Sequence, residues 1–444
     1  MNDHIRKPMS RRVFLRSFGI AAGSLAGLGG LTAFERLATP HPKLAAAVGP
    51  IREWTLAFTD GWVAMPAQAA PVPPFFPDSA APSGYSTYVM GIRDLGYLSR
   101  SADLFTQKGK AQISGPLLWA NENDDVRLTL WNLGLEMRPD LTDSHTVHWH
   151  GFPNQIAYFD GVPDASLSAP IGRNLTYRYI PRDPGTYMYH CHVEDVEHVH
   201  MGLTGLVFVM PAVNTWKPGS TTGNRYAYNV PAAQLPQVQY DREFALFISE
   251  INNHAHWNDR HKQDTDWTDY NADFSLFNGR AWPDTVEPPG NRENTIGGRL
   301  QHQPLSSLIQ ANAGERVLIR MANLGFQEHS ILLPGLAPRI VGRDAKPMVA
   351  GRPAYDANEG AASPTRGDIS NVSYRVDIGP GESRDLIFVA PNVTAKTVYP
   401  VYDREYGFVN STSGDGYGGM RTEIRVYPAG TVPPQSNPHE TFSL

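Results

Sequence analysis

The sequence predicts an all-β protein of two sandwich domains, and three observations carry that expectation. The chain has 444 residues, too many for one ordinary core, and the usual domain size gives a count of two. Its composition, 41% hydrophobic and 18% charged with 19 Tyr, 37 Pro and 40 Gly, suits short strands punctuated by turns better than long charged helices. Finally, the chain repeats itself.

In the first copy, residues 125–134 alternate as Asp-Val-Arg-Leu-Thr-Leu-Trp-Asn-Leu-Gly and lead to His145. In the second, residues 316–325 read Arg-Val-Leu-Ile-Arg-Met-Ala-Asn-Leu-Gly and lead to His329. Further on, Ile171-Gly172 precedes an alternating strand and then Tyr187-Met188-Tyr189-His190-Cys191-His192; Ile378-Gly379 precedes another and then Tyr399-Pro400-Val401-Tyr402-Asp403-Arg404. Each copy is a set of period-2 strands separated by Gly, Pro and Asn turns, which predicts a Greek-key sandwich. Pro, Gly, Thr and Asn cluster over 214–229, so the domains are expected at 50–213 and 230–444. The Pro- and Ala-rich stretch 66–83 is expected to be a surface loop.

Ahead of the first domain, Ser10-Arg11-Arg12-Val13-Phe14-Leu15 is followed by a weakly apolar Gly/Ala-rich stretch and by Ala45-Ala46-Ala47. This is the pattern of a twin-arginine signal over 1–47, too rich in glycine to make a good membrane span. It predicts export to the periplasm, the cell surface or the medium. The net charge is -6 with no basic block in the mature part, which argues against nucleic acid as a partner. A single cysteine excludes an internal disulfide and leaves the thiol as either a liability or a ligand.

Its neighbours favour a ligand. Seven of the 15 histidines lie between 145 and 200, in His145-Thr146-Val147-His148-Trp149-His150 and in the run from His190 to His200. On a strand, residues two apart share a face, so His148 and His150 can point to one site while His145 serves another, and His190 and His192 flank Cys191 on the face opposite to it. One thiolate, two imidazoles and a weak axial neighbour make a blue-copper donor set, which Cys191, His145 and His198 supply. A structural zinc site would use more sulfur or more compact spacing.

At these residues the chain resembles the multicopper oxidases, the laccase-like family, and its two-domain members. The resemblance implies two cupredoxin-like domains, with type 1 copper on His145, Cys191 and His198. It places His148, His150, His190 and His192 where the family holds type 2 and type 3 copper. Electrons from a small-molecule or metal-ion donor would pass along the backbone from Cys191 to its flanking histidines, with dioxygen as acceptor. Related two-domain proteins are homotrimers.

This chain departs from the pattern twice. Cys191 and His198 are two residues further apart than in typical laccases, so the loop at Glu194 and Glu197 is expected to bulge and His200 becomes a rival ligand. His198 is preferred because it keeps the family's spacing to the axial position, which Leu203 fills; Met201 is the less favoured axial partner. In the second copy Leu332, Pro334, Tyr402 and Arg404 stand where histidines are expected, so that domain is read as degenerate. Two other readings remain at this point: a copper nitrite reductase, with His150 and His190 as ligands and Asp160 or Glu194 as proton donor, and a blue-copper electron carrier without catalysis. His254, His256 and His261 are expected on a solvated loop.

Overall fold

A computed structural model describes residues 49–66, 78–83, 85–96, 98, 101–152, 156–289, 299–349, 368–410 and 418–444. The expected signal, 1–47, and most of the loop expected at 66–83 lie outside them. The first half is built from β1 (Ile51–Ala64), β2 (Ser86–Asp94), β3 (Leu118–Asn121), β4 (Asp125–Asn132), β5 (His148–His150), β6 (Asn174–Tyr179), β7 (Gly185–His190) and β8 (Thr204–Met210). A short helix, α1 (Asp195–Met201), joins the last two strands.

The second half continues with β9 (Arg225–Tyr226), β10 (Gln239–Tyr240), β11 (Arg242–Ile251), β12 (Phe274–Phe277), β13 (Ile309–Asn312), β14 (Arg316–Asn323), β15 (His329–Leu332) and β16 (Arg339–Arg343). It ends with β17 (Lys346–Pro347), β18 (Asn371–Val372), β19 (Arg375–Ile378), β20 (Ser383–Val389), β21 (Thr397–Asp403) and β22 (Arg421–Tyr427). A second helix, α2 (Asn253–Arg260), follows β11.

The strands form two sandwiches of the same plan. In the first, the sheets run β2-β1-β4-β6 and β3-β8-β7-β5; in the second, β12-β11-β14-β20-β16-β17 and β13-β22-β21-β15-β19. The duplication holds at the level of register: β1 lies parallel to β4 with Phe58 opposite Asn132, and β11 lies parallel to β14 with Ile248 opposite Asn323. Alternation places Leu56, Phe58, Leu128, Leu130, Trp149 and Tyr177 in one core and Phe244, Ile248, Ile319, Met321, Ile331 and Phe388 in the other, and this burial is the main driving force for each sandwich.

The two sandwiches also share a wall. Met188, Leu206 and Phe208 of β7 and β8 pack on Ala245 and Phe247 of β11, Ala322 of β14 and Leu324 just after it. Within this seam Arg320 is fully buried, 2.8 Å from Glu243 and 3.7 Å from Asp385. Thr186 of β7 donates to Asp385 at 2.6 Å, and Ser383 donates to the Thr186 carbonyl at 2.9 Å.

The segment with His254, His256 and His261 differs from the expected solvated loop. Asn252 accepts the Ala255 N–H and so caps a helix, α2, whose His256 is buried with its Nδ1–H donated to the Tyr88 carbonyl. The bulge expected after Cys191 is also a helix: Glu194 adopts a left-handed conformation, φ 46°, and turns the extra residues into α1.

Candidate metal centre

The structure brings His145, Cys191 and His198 together in the interior of the first sandwich. Cys191 Sγ lies 3.5 Å from His145 Nδ1 and 3.6 Å from His198 Nδ1, and all three residues are buried. Different elements deliver them. His145 is fixed by a bridge to Ala169, Cys191 follows β7 with its N–H on the Leu203 carbonyl, and His198 comes from the middle of α1.

Burial holds the His145 imidazole well below its ordinary value and His198 down to about 4, so both are neutral at physiological pH and able to bind a metal. Burial also pushes the Cys191 thiol up to about 11, although hydrogen bonds from Thr146 work against that. A thiol in this setting ionises when a metal takes the proton's place. Thr146, fully buried between the two histidine clusters, also accepts the His192 N–H at 3.2 Å.

His200 is not at this centre. Two residues along a helix turn through roughly 200°, so His200 points away from Cys191 and is buried among His256, Trp267, Tyr270 and Phe326. Glu194 groups with His198 and Asp143. A cavity of 300 Å³ adjoins α1, lined by Glu197, Met201, Asp259, Asp264 and Trp267 among others.

A second group forms at the edge where β5 pairs with β7, with His148 opposite His190. Donor atoms of His148, His150 and His190 lie within 4.8 Å of one another. The His148 Nδ1–H is donated to the Asp160 carbonyl at 2.6 Å and the His190 Nδ1–H to the Cys191 carbonyl at 2.7 Å, so each imidazole keeps Nε2 free as a donor to a metal. His192 stands nearby, its ring 5.2 Å from that of His148, with Nδ1 3.9 Å from the Asp195 carboxylate. The Asp160 carbonyl belongs to a turn that continues through Gly161. Gly161 has φ +81°, and a Cβ there would meet the Val147 carbonyl oxygen at 2.3 Å, so the turn can press against β5 and present its carbonyl to His148 because residue 161 is glycine.

The register shows what became of these positions in the second sandwich. His329 pairs with Ile378 as His145 pairs with Ala169, and Leu332 pairs with Tyr402 as His148 pairs with His190. Asp403 therefore occupies the place of Cys191, and Glu250 the place of Asp60. His329 bridges the two carboxylates, Nδ1 at 2.8 Å from Asp403 and Nε2 at 2.9 Å from Glu250, with all three side chains fully buried. Burial alone would lower the His329 value, but hydrogen bonds and charge from Asp403 and Glu250 win and raise it to about 9. A proton sits where the first sandwich gathers a thiol and imidazoles.

Residues 107–214 match the family model described as multicopper oxidase. "Laccase 1" of Metarhizium acridum is 35% identical over 141 residues, 30% of this chain and 21% of that protein. "Multicopper oxidase MCE" of Talaromyces pinophilus is 31% identical over 152 residues, 33% of this chain and 22% of that protein. The matched part thus spans about a fifth of the length of these relatives. In fold, the chain is similar to the blue copper oxidase of Nitrosomonas europaea, with a TM-score of 0.56 at 20% identity over 85% of this chain and 86% of that one. The family's metal is copper, in type 1 and trinuclear centres, and one thiol with two neutral imidazoles fits the first of these. Residues 107–214 of the first sandwich thus match a multicopper oxidase domain, and the fold of the chain is similar to that of a blue copper oxidase.

Proposed function

We propose that the protein is an exported copper-dependent oxidoreductase that takes single electrons from a donor at His145, Cys191 and His198 and passes them to copper held among His148, His150, His190 and His192. The observation that carries this reading is Cys191 itself: its Sγ meets two imidazoles on one side, while the residues bonded to it on either side are His190 and His192. The route from one centre to the other is a few covalent bonds. Copper would supply the one-electron redox chemistry at both ends. The protein fixes the histidine tautomers, excludes water from the thiol and joins the two groups through the end of β7, where His190 and Cys191 are bonded neighbours.

The donor is a small molecule or metal ion, and the 300 Å³ cavity lined by Glu197 and Met201 gives it room beside α1, the helix that carries His198. Dioxygen is the proposed acceptor. Reduction of nitrite at the same histidines is a second reading, favoured by the Asp160 carboxylate, 3.7 Å from His148 Nδ1, as a proton source. Export over the twin-arginine route agrees with the first residues of the sequence, and no helix among the described residues is long and apolar enough to cross a membrane. Assembly as a homotrimer is proposed on the resemblance to two-domain members.

The deciding experiment compares the copper-loaded chain with Cys191→Ser. Intense blue absorption with a narrow-hyperfine electron paramagnetic resonance (EPR) signal, both abolished by the substitution, is expected. Donor oxidation that consumes oxygen supports the oxidase, consumption of nitrite instead supports the second reading, and neither leaves an electron carrier. A chain without the blue band sinks all three.

A further inference from the structure

Resting on the copper reading above, we infer that the second centre is a single metal ion held by His148, His150 and His190 of one chain, in place of the family's trinuclear cluster. Three imidazole donors within 4.8 Å of one another can close on one ion by small side-chain rotations. Two of them are already oriented, His148 by the Asp160 carbonyl and His190 by the Cys191 carbonyl. A cluster of three ions needs many more donors. The corresponding strands of the second sandwich present Leu332, Pro334, Tyr402 and Arg404, so neither this domain nor its counterpart in a second copy returns imidazoles from those positions.

Space is limited as well. The chain's own Gly381 packs over His150, where a Cβ would lie 3.2 Å from Nε2, and its carbonyl accepts a hydrogen bond from that imidazole. The second sandwich thereby covers the far side of His150 with backbone rather than with ligands. His192 falls outside the three-histidine group. With His148 and His150 only partly buried, the fourth position at the ion opens towards solvent and can take a small oxidant.

The experiment uses the full-length mature chain, loaded with Cu²⁺ and dialysed. Copper per chain, the fraction of it visible by EPR against a copper standard, and the electrons taken up in an anaerobic reductive titration are measured. The expected result is two coppers per chain, both EPR-visible, and uptake of two electrons. His150→Ala should retain the blue band, which reports folding, and drop to one copper, whereas His192→Ala should retain two. Three or four coppers with an EPR-silent fraction overturns the inference, as does loss of a copper in His192→Ala or a single copper in the unsubstituted chain. Absence of the blue band would instead overturn the type 1 assignment and leaves a distinct signature, because the ordinary copper signal of the three histidines would remain.

Discussion

Cys191 shows how one side chain's environment decides its chemistry. Buried and pushed up to about 11, its thiol is inert without a metal. Replacing Thr146 by Val removes a hydroxyl donor to Sγ, and an altered sulfur-to-copper absorption band with a lowered redox potential is expected in a spectroelectrochemical titration. Leu203→Met adds a weak axial ligand and should also lower the potential; an unchanged midpoint would mean that residue 203 does not occupy the axial position. That His145, Cys191 and His198 would come together was legible in the sequence because ligand types are few and strand spacing is regular. Thr146 and the Asp160 carbonyl were not, since a threonine and a peptide oxygen carry no compositional signal. Gly381 was hidden because it reaches His150 only through the packing of two distant segments.

At the scale of elements, α1 and the Asp160-Gly161 turn do the positioning. The long Cys191 to His198 spacing was legible as an anomaly, but a helical turn rather than a bulge resolves it, because a left-handed Glu194 starts the helix and Gly202, at φ 114°, ends it. His198 then faces the thiol while His200 docks against α2, so one short helix links the copper pocket to the second sandwich. Gly161→Ala is expected to cost about 1–3 kcal/mol from strain at positive φ and close contact with Val147. Thermal denaturation measures that cost. Copper titration should show weakened binding at the three histidines with the blue band preserved, since the turn supports His148 and not Cys191. The strands themselves were readable from alternation; α2 was not, because its buried polar residues, Asn253, His256, Asn258 and Asp259, break the usual apolar stripe.

Over the whole molecule, the duplicated plan carries two different solutions to one buried position. His329 is protonated in the folded chain with a value of about 9, above the ordinary imidazole, so its contribution to stability is complete below about pH 6.5 and is lost as pH rises through about 9. It amounts to roughly 3 kcal/mol, and chemical denaturation between pH 6 and pH 10 should show the decline, with a flatter profile in His329→Gln. Arg320→Met leaves Glu243 and Asp385 buried without their cation and should cost about 3–5 kcal/mol by the same measurement. The sequence showed Leu332, Pro334, Tyr402 and Arg404 at the repeat positions of the histidines, but not that Glu250 and Asp403 close around His329, because the partners are far apart in the chain and meet only through sheet pairing. The shared wall has a consequence for redox work. β7 runs directly into His190 and Cys191, and four residues before His190 its Thr186 is clamped by Asp385 and Ser383 of the neighbouring sandwich. An electron hops fastest between centres whose ligands barely shift when the charge changes, and a strand anchored on both faces is a stiff mount. On the proposed function, the second sandwich would serve as ballast, keeping reorganisation small at the copper ligands of the first.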